Sequence, residues 1–449
     1  MGTTMIVILS GLGLLSLLGA AFWSAVLFEV LWMVRNLPTA RSGLDLPEAK
    51  LDNISIDASS FPSVCLIIPA YNEEASIATV ARSLVKQDYP NLRVVFALDR
   101  CTDGTKRVLE EVLQGDARFE IFEITHCPSD WAGKVNAVWS AVKGAKFAQG
   151  TDLIAFADAD TEFDPGCIRA CAALVRSRNL GLLSLMSSLT CEKWFEKLVQ
   201  PVAGYELMRQ FPPRRVNRAG DKSSRRAVAN GQFMMFTSKA YWSFGGHGTE
   251  HIRDELLEDI ALAKRVRWEG FDAAFIPATG MLWCRMYESY AQFELGWRRI
   301  FAELAHRRPR RLRSYAIQLF LTDIALPTAA LASVVVGLVA LSQHGGTHPL
   351  ALAAAIIGGA SLVLMQTVMA IGCHWGKTPQ YVGLLHYPGA FAVVGILLKA
   401  ARDLETGAPV RWGGRTYVRT ARYEGDEKGL RRFLGRRPPA GAGHMAHGR

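Results

Sequence analysis

From Met5 to Val34 the chain is apolar apart from one charge, Glu29, and this run exceeds the roughly 20 residues that cross a bilayer core. The pattern predicts a transmembrane helix over residues 1–35. A cleaved signal peptide would carry a basic leader and a shorter apolar stretch, and this segment has neither. Arg35 and Arg41 follow, which favours a cytoplasmic position for what comes next. After a linker, 36–62, the periodicity changes. Short β-rich runs at Val64–Ile68, Arg93–Leu98, Glu120–Ile124, Leu153–Ala157 and Phe233–Thr237 alternate with helical stretches such as Glu74–Lys86 and Gly133–Lys146. Such alternation predicts an α/β domain with a mostly parallel sheet, here residues 63–286. Functional residues in these sheets lie at the C-terminal ends of the strands.

Beyond Arg285 an aromatic and basic stretch, 287–314, ends in Arg307, Arg308, Arg310, Arg311 and Arg313. It predicts an amphipathic helix lying in the membrane interface. Three more apolar runs, Tyr315–Ser342, Leu350–Cys373 and Tyr381–Ala401, predict C-terminal membrane segments over 315–401. A basic tail, 402–449, is poor in groups to bury and is expected to be disordered from about Arg422. One N-terminal and three C-terminal crossings would leave that tail outside, against the positive-inside rule. One segment is therefore expected to be re-entrant or interfacial, and Tyr381–Ala401, with His386 and Pro388, is the candidate.

Composition sharpens this picture. Half of the 449 residues are apolar, and the mean hydropathy of +0.12 is high for a soluble enzyme and low for a transporter. The net charge of +10 raises nucleic acid as a partner, but Arg and Lys concentrate beside the hydrophobic segments and in the tail. That placement points to anionic membrane lipids and away from nucleic acid. The eight cysteines form no CxxC pair and no zinc-ligand spacing, so they are expected to be reduced, buried thiols.

Three acidic signals carry candidate chemistry. Pro69-Ala70-Tyr71-Asn72-Glu73-Glu74 closes the first strand, and one βαβ unit later comes Asp99, a strand-tip carboxylate able to accept from a nucleobase imide or ribose hydroxyls. Asp103 nearby reads equally well as a turn and helix cap. Asp158 and Asp160 flank Ala159 at the end of an apolar strand. Alternation points both to one side, as hard oxygen ligands for Mg2+ or Mn2+, and two such carboxylates are costly to bury without a cation. Glu258 and Asp259 open a helix over Ile260–Trp268, where acids also complement the helix N-terminus. If both are already helical, their side chains diverge by about 100°. Within the apolar runs, Glu29 and Asp323 are candidates for function, with pairing to nearby arginines as the alternative for Asp323.

In this order the signals resemble the family 2 glycosyltransferases of GT-A fold, over roughly Ser63 to Arg313. Gly133, Lys134 and Asn136 resemble the family's Gly-Lys helix start, and Asn230-Gly231-Gln232-Phe233 its acceptor-side segment. The resemblance implies a hexosyltransferase using a nucleoside-diphosphate sugar, expected to be a UDP-sugar, and a divalent metal. Pro69, Tyr71, Glu73, Asp99, Lys134 and Asp158 would bind the donor, with Asp160 and Asp158 at the metal. Asp259 would be the general base beside Glu258, giving inversion at the anomeric carbon. Leu98 stands where the family often has a second Asp. The interface motif of the membrane synthases is replaced by Gly296-Trp297-Arg298-Arg299-Ile300, so Arg298 and Arg299 are left as candidates for the leaving diphosphate. The layout, with the Arg411–Tyr417 segment after the last apolar run, resembles bacterial enzymes that glycosylate carotenoids, hopanoids or other lipids. It implies a lipid or membrane-associated acceptor and a place in the inner membrane. A processive polysaccharide synthase, a nucleotidyltransferase and a nucleotide-sugar-binding scaffold without turnover stand as alternatives. The missing phosphate loop counts against the nucleotidyltransferase.

Overall fold

The computed structural model describes residues 2–50, 61–218, 220, 227–343, 348–412 and 414–422; the tail beyond them, expected to be disordered, lies outside the described residues. After helix α1 (Thr3–Asn36), the α/β domain is built on strands β1 (Val64–Ala70), β2 (Leu92–Asp99), β3 (Phe119–Ile124), β4 (Leu153–Ala157), β5 (Thr161–Phe163), β6 (Leu180–Met186), β7 (Ser188–Leu189), β8 (Phe233–Thr237), β9 (Asp272–Pro277) and β10 (Leu282–Cys284). Seven of them form one sheet in the order β3-β2-β1-β4-β8-β6-β9. Only β8 runs against its neighbours, so the sheet is mostly parallel as expected. The reading had missed β6 and β9. Strands β1 and β4 are near-continuous buried runs, as helices on both faces require. Helices α2 (Ile77–Val85), α3 (Thr105–Leu113) and α5 (Cys167–Ser177) cover one face, and α4 (Gly133–Gly144) covers the other.

The expected linker is partly docked on this domain. Ala40 N–H donates to the Pro277 carbonyl at 2.9 Å, and Arg169 holds the Ala49 carbonyl at 3.0 Å.

Short helices α6 (Trp194–Leu198), α7 (Gln200–Gln210), α8 (Pro213–Val216) and α9 (Ser238–Trp242) lead to α10 (Glu258–Trp268). The single interface helix expected over 287–314 is two helices, α11 (Tyr290–Leu304) and α12 (Pro309–Phe320). Between them His306 and Arg307 adopt left-handed φ of 56° and 57°, and Pro309 cannot continue a helix from that side. Helix α12 runs through a π-turn, Leu321–Ala325, into α13 (Leu326–Gln343). The arginines therefore head a rod whose far half is apolar.

Helices α1, α13 and α14 (Pro349–Trp375) pack on one another. Helix α15 (His386–Thr406) is also long and apolar enough to cross, yet it packs chiefly on α7, α11 and α12. Beyond it β11 (Pro409–Trp412) and β12 (Arg415–Val418) form a hairpin against the α/β domain, with Arg415 on the carbonyls of Cys127, Pro128 and Trp131. The chain just beyond α15 is thus fastened to the domain.

Candidate active site

The acidic residues converge where β1, β2, β4 and α10 end or begin. Lys134, the second residue of α4, sends its ammonium to Asp158 Oδ1 at 2.7 Å and Glu258 Oε1 at 2.8 Å. Burial lowers its proton affinity, but the two carboxylates outweigh that and hold it above the usual lysine range. Asp259 Oδ2 accepts from Gly231 N–H at 2.9 Å and Oδ1 from Ile260 N–H at 2.7 Å. Gly231 is a close approach: a Cβ there would sit 2.8 Å from Lys134 Nζ and 3.6 Å from both Asp259 Oδ2 and Glu258 Oε1. Glu258 and Asp259, adjacent on α10, thus each bring one carboxylate oxygen to the Gly231 corner. Burial first, then Glu258, raises the Asp259 carboxyl to about 7, against the pull of Lys134 and the two N–H donors.

Asp160 is raised to about 7 as well, by burial and then by Asp158 and Glu73. Its Oδ1 is buried without a hydrogen-bond partner. Among the described residues no group of three His, Cys, Asp or Glu side chains could hold a metal ion alone. An Mg2+-type ion, however, uses only one or two protein carboxylates when a diphosphate supplies further oxygens. Asp160 fits that role, while Asp158 is already held by Lys134.

Asp99 ends β2 almost fully buried and is gripped in a fork by Arg100, at 2.8 and 2.6 Å. Arg100 also lies over the Tyr71 ring, 5.7 Å from its centroid. Asp103 takes the turn role, accepting from Thr105 N–H at 3.1 Å and Glu74 N–H at 3.1 Å.

One cavity of about 1290 Å³ joins these groups to the membrane helices. Pro69, Tyr71, Glu73, Asp99, Asp160 and Asp259 line one end, and Phe22, Val26, Met208, Met369 and Val382 the other.

Residues 65–233 match the family model described as glycosyl transferase family 2. The chain carries a family 2 glycosyltransferase domain. It is 26% identical over 245 residues to a beta-monoglucosyldiacylglycerol synthase of Synechocystis sp., covering 54% of this chain and 49% of that one. It is 25% identical over 247 residues to a 4,4'-diaponeurosporenoate glycosyltransferase of Staphylococcus aureus, covering 52% and 60%. The chain thus spans about half to three-fifths of the length of these curated relatives. A mannosyltransferase from Pyrobaculum calidifontis, solved with GDP-Man and Mn2+, overlays 84% of this chain and 97% of its own, with 19% identity and a TM-score of 0.42.

The acids expected from the sequence meet in one place, and both interface arginines, Arg298 and Arg299, line the same cavity. Arg298 is also engaged by Glu294, one helical turn back, at 3.5 Å and by Asp403 on α15. Asp323 pairs with His386 at 3.0 Å and Arg209 at 3.5 Å, and Glu29 with Arg214 at 3.4 Å; both are partnered acids. Arg100 was missed, although it directly follows Asp99 and bears a positive φ of 51°. All eight cysteines are free thiols.

Proposed function

We propose that the chain is an inverting, metal-dependent glycosyltransferase that moves one sugar from a nucleoside-diphosphate sugar to the hydroxyl of a membrane lipid at the cytoplasmic face. The observation that carries this is the single cavity running from the buried acids to apolar helices: a polar donor and a greasy acceptor need those two linings, and they meet at the Gly231–Asp259 corner. The names of the curated relatives, a diacylglycerol and a carotenoid glycosyltransferase, are in keeping with it.

Asp99, released from Arg100, and Tyr71 would hold the base and ribose. Asp160 would hold the divalent ion, whose charge stabilises the departing diphosphate. Lys134 holds Asp158 and Glu258 in place. Asp259, its proton affinity tuned to the neutral range, is suited to take a proton from the acceptor hydroxyl. As that oxygen bonds to the anomeric carbon from one side, the bond to the diphosphate breaks on the other, and the proton ends on Asp259. Arg298 and Arg299 both line the cavity and are the candidates to face the leaving group.

Mass spectrometry of membrane lipids from cells with and without the chain tests the reading. A lipid species heavier by one hexose should depend on the chain. Extracts identical in every lipid class, with a new water-soluble polymer instead, would overturn it in favour of a synthase.

A further inference from the structure

The hairpin of β11 and β12 has no part in the chemistry above, yet it reaches the donor end of the site from the far end of the chain. Its turn residue Gly414, at φ 70°, packs against the Tyr71 ring so closely that a Cβ would overlap the phenol. Next to it the Arg415 guanidinium spreads over three carbonyls, Cys127 at 2.8 Å, Pro128 at 3.0 Å and Trp131 at 2.6 Å. These belong to the loop that launches α4. The Tyr417 hydroxyl then accepts from Gly133 N–H at 3.2 Å, at the first turn of that helix and one residue before Lys134. Farther on, Arg419 donates to the Asp254 carbonyl at 2.5 Å, in the segment whose Arg253 carbonyl takes Ala132 N–H at 2.6 Å. The loop 127–132 has little regular structure, and a charged donor that binds several of its carbonyls fixes it more firmly than neutral contacts would. Gly414 and Tyr417 also line the cavity.

We propose that this hairpin is a clasp on the donor pocket: Gly414, Arg415 and Tyr417 are positioning residues that set Tyr71 and the Lys134-bearing helix start, and through them the affinity for the nucleoside diphosphate. The proposal rests on the site being a nucleotide-sugar pocket. It also ties donor binding to the membrane layer, because the hairpin is the direct continuation of α15. A hairpin serving only as a strut between domain and membrane would change stability and leave donor affinity alone.

The test uses the full chain in lipid nanodiscs with Mg2+, titrated calorimetrically with UDP and with GDP, alongside steady-state transfer. Arg415→Gln should weaken binding of whichever nucleotide the unaltered chain takes by about tenfold, as the loss of one charged hydrogen-bond set implies. Donor KM should rise in step, with kcat and acceptor KM within about twofold. Tyr417→Phe, which removes one hydroxyl and nothing else, should move donor KM in the same direction by a smaller factor, and decides the matter if Arg415→Gln does not fold. Unchanged donor affinity in variants with a lowered melting temperature would overturn the clasp. If the unaltered chain binds neither nucleotide, the reading of the site itself fails; if it binds and the variants bind equally, only the clasp fails.

Discussion

The two ends of the cavity handle charge in opposite ways. At the donor end Asp158 and Glu258 share one ammonium, Lys134, while Asp160 beside Asp158 and Asp259 beside Glu258 are driven to about 7. At the membrane end each acid has a basic partner, Asp323 with His386 and Arg209, and Glu206 with Arg209, although burial still raises the Glu206 carboxyl to about 7. An excess of buried carboxylate raises the free energy of the empty pocket and is relieved by a cation or a proton. A set in which each acid has a basic partner has less to gain from a bound cation. The donor end is thus poised for chemistry, and the membrane end is poised to hold helices together around an apolar slot.

That contrast breaks most sharply at Asp259. Asp259→Asn keeps an oxygen for the Gly231 N–H but cannot take a proton, so transfer should slow by roughly 10²- to 10⁴-fold with donor affinity nearly unchanged. In the unaltered chain the rate should climb as pH rises to about 7 and then level, because the base works deprotonated. Stability runs the other way: a carboxyl whose pKa is raised on folding, from 3.8 to about 7, favours the folded state at low pH, and that contribution is lost as pH rises through this window. A pH–rate profile together with melting curves checks both signs, and Asp259→Asn should flatten each.

Asp160→Asn should come next, removing the response of the rate to added Mg2+ while the melting temperature in chelator holds or rises, since a repulsive buried charge is gone. A variant that still answers to Mg2+ would move the metal elsewhere. Smaller again is the effect of filling the apolar slot. Gly204 on α7 lines the cavity with nothing near its missing Cβ, so Gly204→Leu should raise acceptor KM about tenfold, leave donor KM alone and cost the helix nothing. The smallest rate effect is expected at Asp323: Asp323→Asn should lower thermal stability in detergent by breaking the pair with His386, with kcat within a few-fold. A dead but well-folded Asp323→Asn would show that the membrane end takes part in the chemistry after all.

How much of this was legible follows from where each group's partners lie in sequence. Pro69 to Glu73, Asp99, Asp158, Asp160 and Asp259 each close a strand or open a helix, so local pattern found them and the fold brought them together. The ion pair of Arg298 with Asp403 was not legible because Asp403 lies on α15, over a hundred residues away. Strands β6 and β9 were passed over because Leu180–Met186 follows directly on the apolar helix α5 and Asp272–Pro277 on α10, with no alternation to set them off. The break between α11 and α12 hinges on two left-handed residues, His306 and Arg307, which no hydrophobic period records. The hairpin's grip on the start of α4 spans 284 residues from Gly133 to Tyr417, so nothing near either end announces it.

The central claim is that one cavity brings a nucleotide-sugar and a lipid together at Asp259. Full-length protein in lipid nanodiscs, given radiolabelled UDP- or GDP-hexose and Mg2+, allows released nucleoside diphosphate and labelled lipid to be counted in the same reaction. The account predicts one labelled lipid per nucleotide released, with both falling together in Asp259→Asn. Nucleotide release without lipid label, or lipid label that survives Asp259→Asn at the original rate, would contradict it.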